Sequence, residues 1–295
     1  MQKRGRTGFI VAFLSPALLL YSVFVLYPLA QSFLLSFYSY RGVSNKRKFI
    51  GTENYHRLFA DSTFWTALKN NLWILVIAGV LLVALGLLLA HASLGKSRGA
   101  RAVRGVALFP QVISLVVVAI VWMFIFNPAY GVANAATNLI GLKPPSQGYA
   151  NAPSTALVTV ALVFVWYALG FYVMLFGAGL RNIPEEITEA AALDGATGWR
   201  RFTQVTWPML WSVKRVAITY IAINVMNIFA LVFILTRGGP DRRSETLLTY
   251  MYEQGFTNFQ FGYATTIAVA NFAVCMALSL AILWLFRRNP EGVRA

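Results

Sequence analysis

Six long stretches without any Asp, Glu, Lys or Arg constrain this sequence more than any other feature. A helix that crosses ~30 Å of hydrocarbon needs about 20 mostly apolar residues. Each of the six stretches reaches that length, whereas no other charge-free stretch exceeds the twelve residues from Phe202 to Val213. The six run over Thr7–Tyr40, Asn70–Gly95, Gly105–Leu142, Pro144–Leu180, Val216–Thr236 and Gln254–Phe286. They are too long to be core helices of a soluble domain.

The sequence therefore predicts an all-α integral membrane protein with six transmembrane helices. A composition of 58% hydrophobic and 12% charged residues agrees with this class. The first stretch is longer than the apolar core of a usual signal peptide and shows no small-x-small cleavage pattern, so we interpret it as an uncleaved span. We place the spans near residues 9–36, 70–92, 105–127, 155–180, 215–236 and 262–286.

The distribution of basic residues predicts the orientation of these spans. If the N-terminus is cytoplasmic, fifteen of the 25 Lys and Arg residues fall in cytoplasmic segments. Because cytoplasmic loops carry an excess of Lys and Arg, this favours cytoplasmic N- and C-termini. The basic stretch 41–48 lies on the outer side in this arrangement, and the residues themselves give no physical reason for that exception.

Nothing in the sequence resembles an active site or a metal site. The motif "AHASLGKS" (Ala90–Ser97) is similar to a phosphate-binding loop, but it has Ala90 where the first Gly belongs and follows a predicted membrane span instead of a strand. His56 and His91 lack nearby ligand-type partners, and Cys275 is the single cysteine. We predict no catalytic residues, no bound metal and no cofactor.

The predicted spans also lack the ionisable residues that mark the pathway of an ion-coupled pump, apart from His91 near one end. If the protein moves a solute against its gradient, the energy must come from another subunit.

A polar insert, "EITEAAALDGATGWRRFTQVTWPML" (Glu186–Leu210), separates the fourth and fifth predicted spans. Pro184 suits the first turn of a helix, and the run that follows it is strongly helix-forming. Gly195 is able to adopt the positive φ that ends a helix. The insert is thus predicted to begin with a helix that stops at a glycine turn.

A second short helix is predicted after that turn. Thr197 is placed to cap it through its side chain. The helix should end near Trp207, because Pro208 disfavours helical backbone in the residue before it. The insert then forms a helix-turn-helix on the cytoplasmic side of the membrane.

The first helix of the insert has a face of small residues between charges. Ala190 and Ala191 permit close approach of another surface, and Glu189 and Asp194 border them with carboxylates. Helix chemistry alone leaves two interpretations open. The face either contacts a partner or is local structural filler.

The segment "IPEEITEAAALDGATGWRRFTQVTWPML" resembles the EAA signature of the membrane subunits of binding-protein-dependent ABC importers. Val205 and Trp207 stand where that family often has Ile and Leu. The positions that match are Glu189, Ala190, Ala191, Asp194, Gly195, Ala196, Phe202, Pro208 and Leu210.

Two further stretches are similar to the sugar-transporting branch of these importers. They are Gly51–Trp73, which leads into the second predicted span, and Leu235–Val269, which leads into the sixth. With the insert, the resemblance is spread over most of the chain. It implies a terminal segment, 1–67, and a transmembrane core domain, 68–290, that contains a coupling loop at 181–214.

The resemblance implies that the chain is one subunit of a transport complex in the cytoplasmic membrane of a bacterium or archaeon. Such a subunit forms half of a channel with a second permease chain, and the sequence leaves open whether that chain is identical or, as we expect, different. Two cytoplasmic ATPase subunits bind the ATP, and an extracytoplasmic protein delivers the solute. The coupling residues that the signature implies are Glu189, Ala190, Ala191, Asp194, Gly195, Ala196 and Pro208.

Polar and aromatic side chains near the middle of the spans are candidates for contact with a sugar. Asn224 and Asn227 are three residues apart and lie on one helix face. Polar groups at that depth either line a cavity or join helices, and the sequence leaves both open. The other candidates are Asn271, Trp166 and Tyr167.

We therefore interpret the chain as the permease subunit of an ABC importer for a sugar or sugar-like solute. A different cargo, such as a glycerol phosphodiester, is one alternative, although an anionic cargo would favour a cationic pathway. A membrane-embedded enzyme is another alternative, and the lack of convergent titratable residues disfavours it.

Overall fold

The computed structural model of this protein describes residues 2–42, 46–95, 97–139, 141 and 143–287, with the backbone alone for residues 2–8. Lys96, in the loop that is similar to a phosphate-binding loop, lies outside the described residues. So does part of the basic stretch 41–48, and so does the predicted cytoplasmic C-terminus beyond Arg287.

Helices make up most of the described chain, in agreement with the predicted fold class. The one strand pair in this part of the chain joins β1 (Tyr38–Ser39) to β2 (Lys48–Phe49) in antiparallel register. The helices are α1 Gln2–Tyr21, α2 Tyr27–Leu35, α3 Glu53–Ala60, α4 Ser62–Ala92, α5 Arg98–Val112, α6 Leu115–Ile125, α7 Val132–Leu139, α8 Ala156–Arg181, α9 Glu185–Leu193, α10 Gly198–Arg201, α11 Trp207–Met209, α12 Trp211–Met226, α13 Ala230–Leu235, α14 Leu247–Tyr252 and α15 Phe261–Leu285. Three π-helical turns interrupt this order at Ser22–Leu26, Phe202–Thr206 and Glu253–Thr257.

The described chain has four helices that are long and apolar enough to cross a membrane, and up to six spans if each of two bent helix pairs counts as one. Four spans are continuous and cover Phe9–Leu35, Ser62–Ala92, Ala156–Arg181 and Phe261–Leu285. The bent pairs are α5 with α6, at 100°, and Gly198–Met209 with α12, at 71°.

The third span, predicted near residues 105–127, is bent and consists of two helices. Helix α5 contains Pro110 and ends at Val112, Ile113 is extended, and α6 starts at Leu115. The break lies after Pro110 and not in the turn before it, where a proline disturbs a helix.

The fifth span is also not one helix over residues 215–236. Helix α12 ends at Met226, and α13 begins at Ala230. The side-chain amide and the backbone N–H of Asn227 both donate to the carbonyl of Ile223. An Asn side chain that competes with the backbone in this way favours a helix end.

Two prolines within long helices are accommodated by π turns. The backbone N–H of Tyr27 donates to the carbonyl of Ser22 before Pro28, and the N–H of Trp207 donates to the carbonyl of Phe202 before Pro208. The wider turn gives room to the proline ring. The prediction that the insert's second helix ends near Trp207 was therefore wrong, since helix continues through α11 to Met209.

One compact unit comprises the chain up to Phe64 together with Met251–Phe272. Asn54 ties α3 to the end of the first span, since its amide donates to the carbonyl of Ser36 over 2.8 Å. The hydroxyl of Tyr263 donates to a carboxylate oxygen of Asp61 over 2.6 Å, and Arg57 stacks on the Tyr263 ring at 3.9 Å. These contacts join parts of the two stretches that resemble the sugar-transporting branch.

The second unit comprises Trp65–Tyr250 and the chain from Ala273. Helix α8 runs through its core, where Tyr172 and Phe176 are fully buried. Helix α5 approaches α8 closely at Gly170, because a Cβ atom there would lie 2.3 Å from the carbonyl oxygen of Ala107. The amide of Asn71 bridges α12 and α14, since it donates to the carbonyl of Val225 and accepts from the N–H of Leu247.

Candidate functional site

The first helix of the insert is α9, and its start follows the predicted chemistry. Glu185 and Glu186 occupy the first turn, where carboxylates interact favourably with the positive end of the helix dipole. Pro184 is the residue just before that turn, with ψ 139°, and so lies one position earlier than predicted.

Gly195 ends α9 as the sequence predicted. Its φ is +76°, in the left-handed region that favours glycine. The N–H of Gly195 donates to the carbonyl of Ala192 over 3.1 Å, and the N–H of Ala196 donates to the carbonyl of Ala191 over 2.8 Å. These two bonds form a Schellman motif, which satisfies carbonyls that a helix end leaves open. The turn therefore has a defined geometry.

The predicted side-chain cap at Thr197 does not form. Thr197 is extended and precedes α10, but its side chain accepts no capping hydrogen bond. Its backbone carbonyl instead accepts from the N–H groups of Arg200, over 3.1 Å, and Arg201, over 3.3 Å. Backbone geometry at this position is sufficient to begin the second helix.

The outer side of the insert carries large apolar side chains among carboxylates. Leu193 is 90% exposed and Trp199 is 76% exposed in the isolated chain. Glu189, Ala190 and Asp194 are exposed as well. We call these five residues the insert surface. Exposed apolar groups of this size indicate a surface that a partner covers.

Neither carboxylate of the insert surface has an ion-pair partner in the described part of the chain. The predicted coupling residues do lie together on α9 and in the turn after it, but Ala191 is half-buried and Ala196 is buried. Leu193 and Trp199 were missed, since their apolar character alone suggests burial and exposure is visible only in the folded chain.

A cavity of about 760 Å³ lies between the insert and the end of α4. Aromatic rings build its insert side, with Phe202 stacked on Trp199 at 5.1 Å and tilted against Trp207 at 6.1 Å between ring centroids. Leu87, Leu88 and other apolar residues of α4 form the facing wall.

Pro208 and Leu210 lie where the insert meets the fifth span. Leu210 is fully buried, and a Cβ atom on Gly179 of α8 would lie 2.9 Å from its side chain. The glycine thus lets α8 approach the junction closely. The insert is fixed at its base while its outer surface stays uncovered.

The candidate pathway residues are not gathered at one place. The side-chain amides of Asn224 and Asn227 donate over 2.8 Å to the carbonyls of Tyr220 and Ile223 in their own helix. In the described chain, no hydrogen bond joins either amide to Trp166 or Tyr167. Among the described residues, these hydrogen bonds of the two amides therefore do not link α12 to another helix.

The aromatic candidates lie on α8. Trp166 packs edge-on against Trp122, with ring centroids 5.4 Å apart, and Tyr167 packs against the core. A cavity of about 370 Å³ borders Trp166, but its other lining residues, which include Val106 and Leu169, are apolar. That cavity offers no groups that would hydrogen-bond a sugar.

Asn271 belongs to the first unit and is buried, and its side-chain oxygen has no hydrogen-bond partner among the described residues. In the same part of the chain, no group of three His, Cys, Asp or Glu residues could hold a metal ion.

Comparison with known proteins gives a family match over residues 82–290, to the inner membrane component of binding-protein-dependent transport systems. The chain is 35% identical to the probable ABC transporter permease protein YurN of Bacillus subtilis over 281 residues, which cover 95% of this chain and 96% of that protein. It is 30% identical to the diacetylchitobiose uptake system permease protein NgcF of Streptomyces coelicolor, over 97% of this chain and 84% of that protein.

The fold also matches a solved structure. A chain from a bacterial ABC transporter involved in the import of the acidic polysaccharide alginate superposes with a TM-score of 0.82, over 97% of both chains. Sequence identity to that chain is 23%, so this likeness supports the fold alone.

Proposed function

Because the chain belongs to the family of inner membrane components of binding-protein-dependent transport systems, and so is a permease subunit of an ABC importer, we propose a specific role for it. It forms half of the pathway for a sugar or sugar-like solute. Its insert surface, with Ala191 and the Gly195 turn, receives an ATPase subunit. The observation that carries this role is the exposed surface on a turn of defined geometry.

The chemistry of the insert surface fits a protein partner. Exposed Leu193 and Trp199 supply apolar area, and large aromatic residues are common anchors of protein interfaces. Ala190 permits close approach, and the carboxylates of Glu189 and Asp194 offer charges for complementary cations. A surface of this kind is capable of both binding an ATPase subunit and following its motion.

Orientation follows from this role. ATPase subunits that hydrolyse cellular ATP are cytoplasmic, so the insert faces the cytoplasm. An even number of spans then places both termini on the same side as the insert, in agreement with the excess of Lys and Arg there. We propose a bacterial or archaeal cytoplasmic membrane as the location.

The proposed complex contains this chain, a second and different permease, two ATPase subunits that bind the ATP, and an extracytoplasmic solute-binding protein. Within this chain we retain the division into a terminal segment, 1–67, and a core, 68–290, with the coupling loop at 181–214. This division is a proposal about how the chain is built.

The neutral character of the spans supports a sugar-like cargo. Their candidate contact groups are amides and aromatic rings, which bind sugars by hydrogen bonds and stacking. The name of the relative NgcF refers to diacetylchitobiose, and that protein is 30% identical to this chain. A glycerol phosphodiester remains the alternative cargo, and it would need a cation in the pathway.

Two measurements test the proposal. The complete importer, made with its neighbouring genes, is purified by a tag on this chain, and recovery of the ATPase subunits is compared between Glu189→Lys and Thr203→Ala. We expect loss of recovery for Glu189→Lys alone, because it reverses a charge of the insert surface. Equal recovery in both variants would contradict the proposed contact.

The cargo is tested separately by uptake in cells that carry the complete system. Labelled diacetylchitobiose, maltose and glycerophosphocholine serve as probes. Uptake of one of the sugars supports the proposed solute class, and uptake of glycerophosphocholine alone would contradict it.

A further inference from the structure

The ammonium group of Lys214 is buried at the junction between the insert and the fifth span. The residue is 4% exposed, although the adjacent Arg215 is half-exposed. Its Nζ atom donates to the carbonyl oxygen of Trp207 over 2.6 Å and lies 4.0 Å from the centroid of the Trp207 ring. A second ring, that of Trp211, lies 5.4 Å away. A buried cation needs such partners, because leaving water without them is costly.

The position of this ammonium group is explained by the bend in the chain. The helix of the insert ends at Met209, and α12 starts at Trp211 after a bend of 71°. A helix end leaves its last carbonyl groups without partners inside the helix. Lys214, in the first turn of the next helix, donates to one of them and so bridges the two sides of the bend.

Trp211 extends the same junction to the sixth span. Its indole N–H donates to the carbonyl of Phe286 over 3.2 Å, and the two rings lie 4.4 Å apart between centroids. Phe286 directly follows the last residue of α15. Lys214 and Trp211 thus connect the insert, the fifth span and the end of the sixth span within one compact unit.

We propose that Lys214 is a positioning residue that fixes the angle between the insert and the fifth span. Together with Trp211, it makes the insert and the cytoplasmic ends of two spans move as one body. The inference rests on the proposed role of the insert as the contact for an ATPase subunit. A lysine that only kept its charge in water would direct its Nζ atom outward along the membrane surface. Here the Nζ atom is directed to a backbone carbonyl and two aromatic faces.

The test measures this angle in the assembled importer without any solute. Spin labels are attached at Gln204→Cys in the insert and Ile223→Cys in α12, in a Cys275→Ser background. Pulsed electron paramagnetic resonance then gives the distribution of distances between the labels. We expect one narrow distribution with Lys214 present and at least a twofold broader one in Lys214→Met, which retains the length of the stem but loses the charge and the donor.

Two variants serve as controls. Arg215→Met removes a cation from the neighbouring position and should retain the narrow distribution. Lys214→Arg keeps a cationic donor and should remain narrower than Lys214→Met. A width in Lys214→Met equal to that with Lys214 present would overturn the inference.

A second variant tests the other part of the inference, the connection to the sixth span, and Lys214→Gln replaces Lys214→Met in the first test if that variant fails to assemble. Trp211→Phe retains a ring against Phe286 but deletes the indole donor. It should broaden the distance between labels at Gln204→Cys and Leu280→Cys of α15, and should leave the pair at 204 and 223 narrow. An unchanged distribution for the pair at 204 and 280 would show that Trp211 does not tie the insert to the sixth span. Failure of the proposed function would instead appear as equal recovery of the ATPase subunits with Glu189→Lys and Thr203→Ala.

Discussion

The backbone N–H of Ala196 lies 2.8 Å from the carbonyl oxygen of Ala191 and donates to it, which closes the end of α9. This bond requires Gly195, in the turn between the two helices of the insert, to hold a φ of +76°. A Cβ atom added to Gly195 would meet no atom within 4 Å. Only the backbone conformation, and not the available space, therefore restricts this position.

Gly195→Val should leave the protein inserted in the membrane but weaken its contact with an ATPase subunit. A β-branched residue at positive φ costs about 1 kcal/mol or more, which is small beside six spans. The turn would change its geometry and redirect the insert surface. We expect normal membrane levels by immunoblot, reduced recovery of the ATPase subunit and strongly reduced uptake.

The matched control is Gly195→Asn, because Asn adopts the left-handed region more readily than other residues with a side chain. It should retain most of the recovery and uptake. Wild-type recovery of the ATPase subunit together with wild-type uptake in Gly195→Val would show that the insert is only a linker.

Gly170→Ala should destabilise the protein through the packing of α5 on α8. A Cβ atom there would lie 2.3 Å from the carbonyl oxygen of Ala107, so the two helices must separate. Overpacking of this kind costs about 1–3 kcal/mol. The measurement is the apparent unfolding temperature of the purified protein in detergent. Gly177→Ala is the control on the same helix, since a Cβ atom there meets nothing within 4 Å, and an equal loss in both variants would contradict the packing argument.

Asn71→Leu should destabilise the protein, although the Asn and Leu side chains are similar in size. The amide of Asn71 is fully buried and satisfies both the carbonyl of Val225 and the N–H of Leu247. Each buried group left unsatisfied costs about 1–3 kcal/mol. We expect a lower unfolding temperature and lower membrane levels, whereas Asn182→Leu at the exposed end of α8 should change neither. Equal stability of the two variants would show that the Asn71 bonds contribute little.

The double variant Asn224→Ala and Asn227→Ala tests the pathway prediction. Both amides donate within their own helix, so their removal should leave assembly and basal ATP hydrolysis intact. If the amides also contact solute, the loss of hydrogen bonds of about 0.5–1.5 kcal/mol each should raise the KM for uptake roughly tenfold.

The control for the double variant is Thr219→Val, which deletes a hydroxyl on the same helix that donates to the carbonyl of Arg215. It should leave the KM unchanged. Unchanged uptake in the double variant would remove Asn224 and Asn227 from the pathway.

The sequence by itself determined the features that depend on local chemistry. The membrane-spanning class follows from the length of the charge-free stretches, because hydrocarbon tolerates few charges over about 20 residues. The helix from Glu185 and its end at Gly195 follow from helix propensity and from the freedom of glycine at positive φ. The Thr197 cap was not formed, since the backbone alone starts α10 there.

Only the tertiary structure decided which distant residues meet and which side chains stay uncovered. The bend before α6 and the break after Met226 interrupt stretches without charged residues, and hydropathy does not record the direction of a helix. The contact of Tyr263 with Asp61 joins positions about two hundred residues apart. The charge of Lys214 predicts an exposed side chain. Its burial is explained by the Trp207 carbonyl and the two indole rings that the folded chain places around its Nζ atom. Such partners are set by the packing of whole helices, and a linear pattern of residue types carries no information about them.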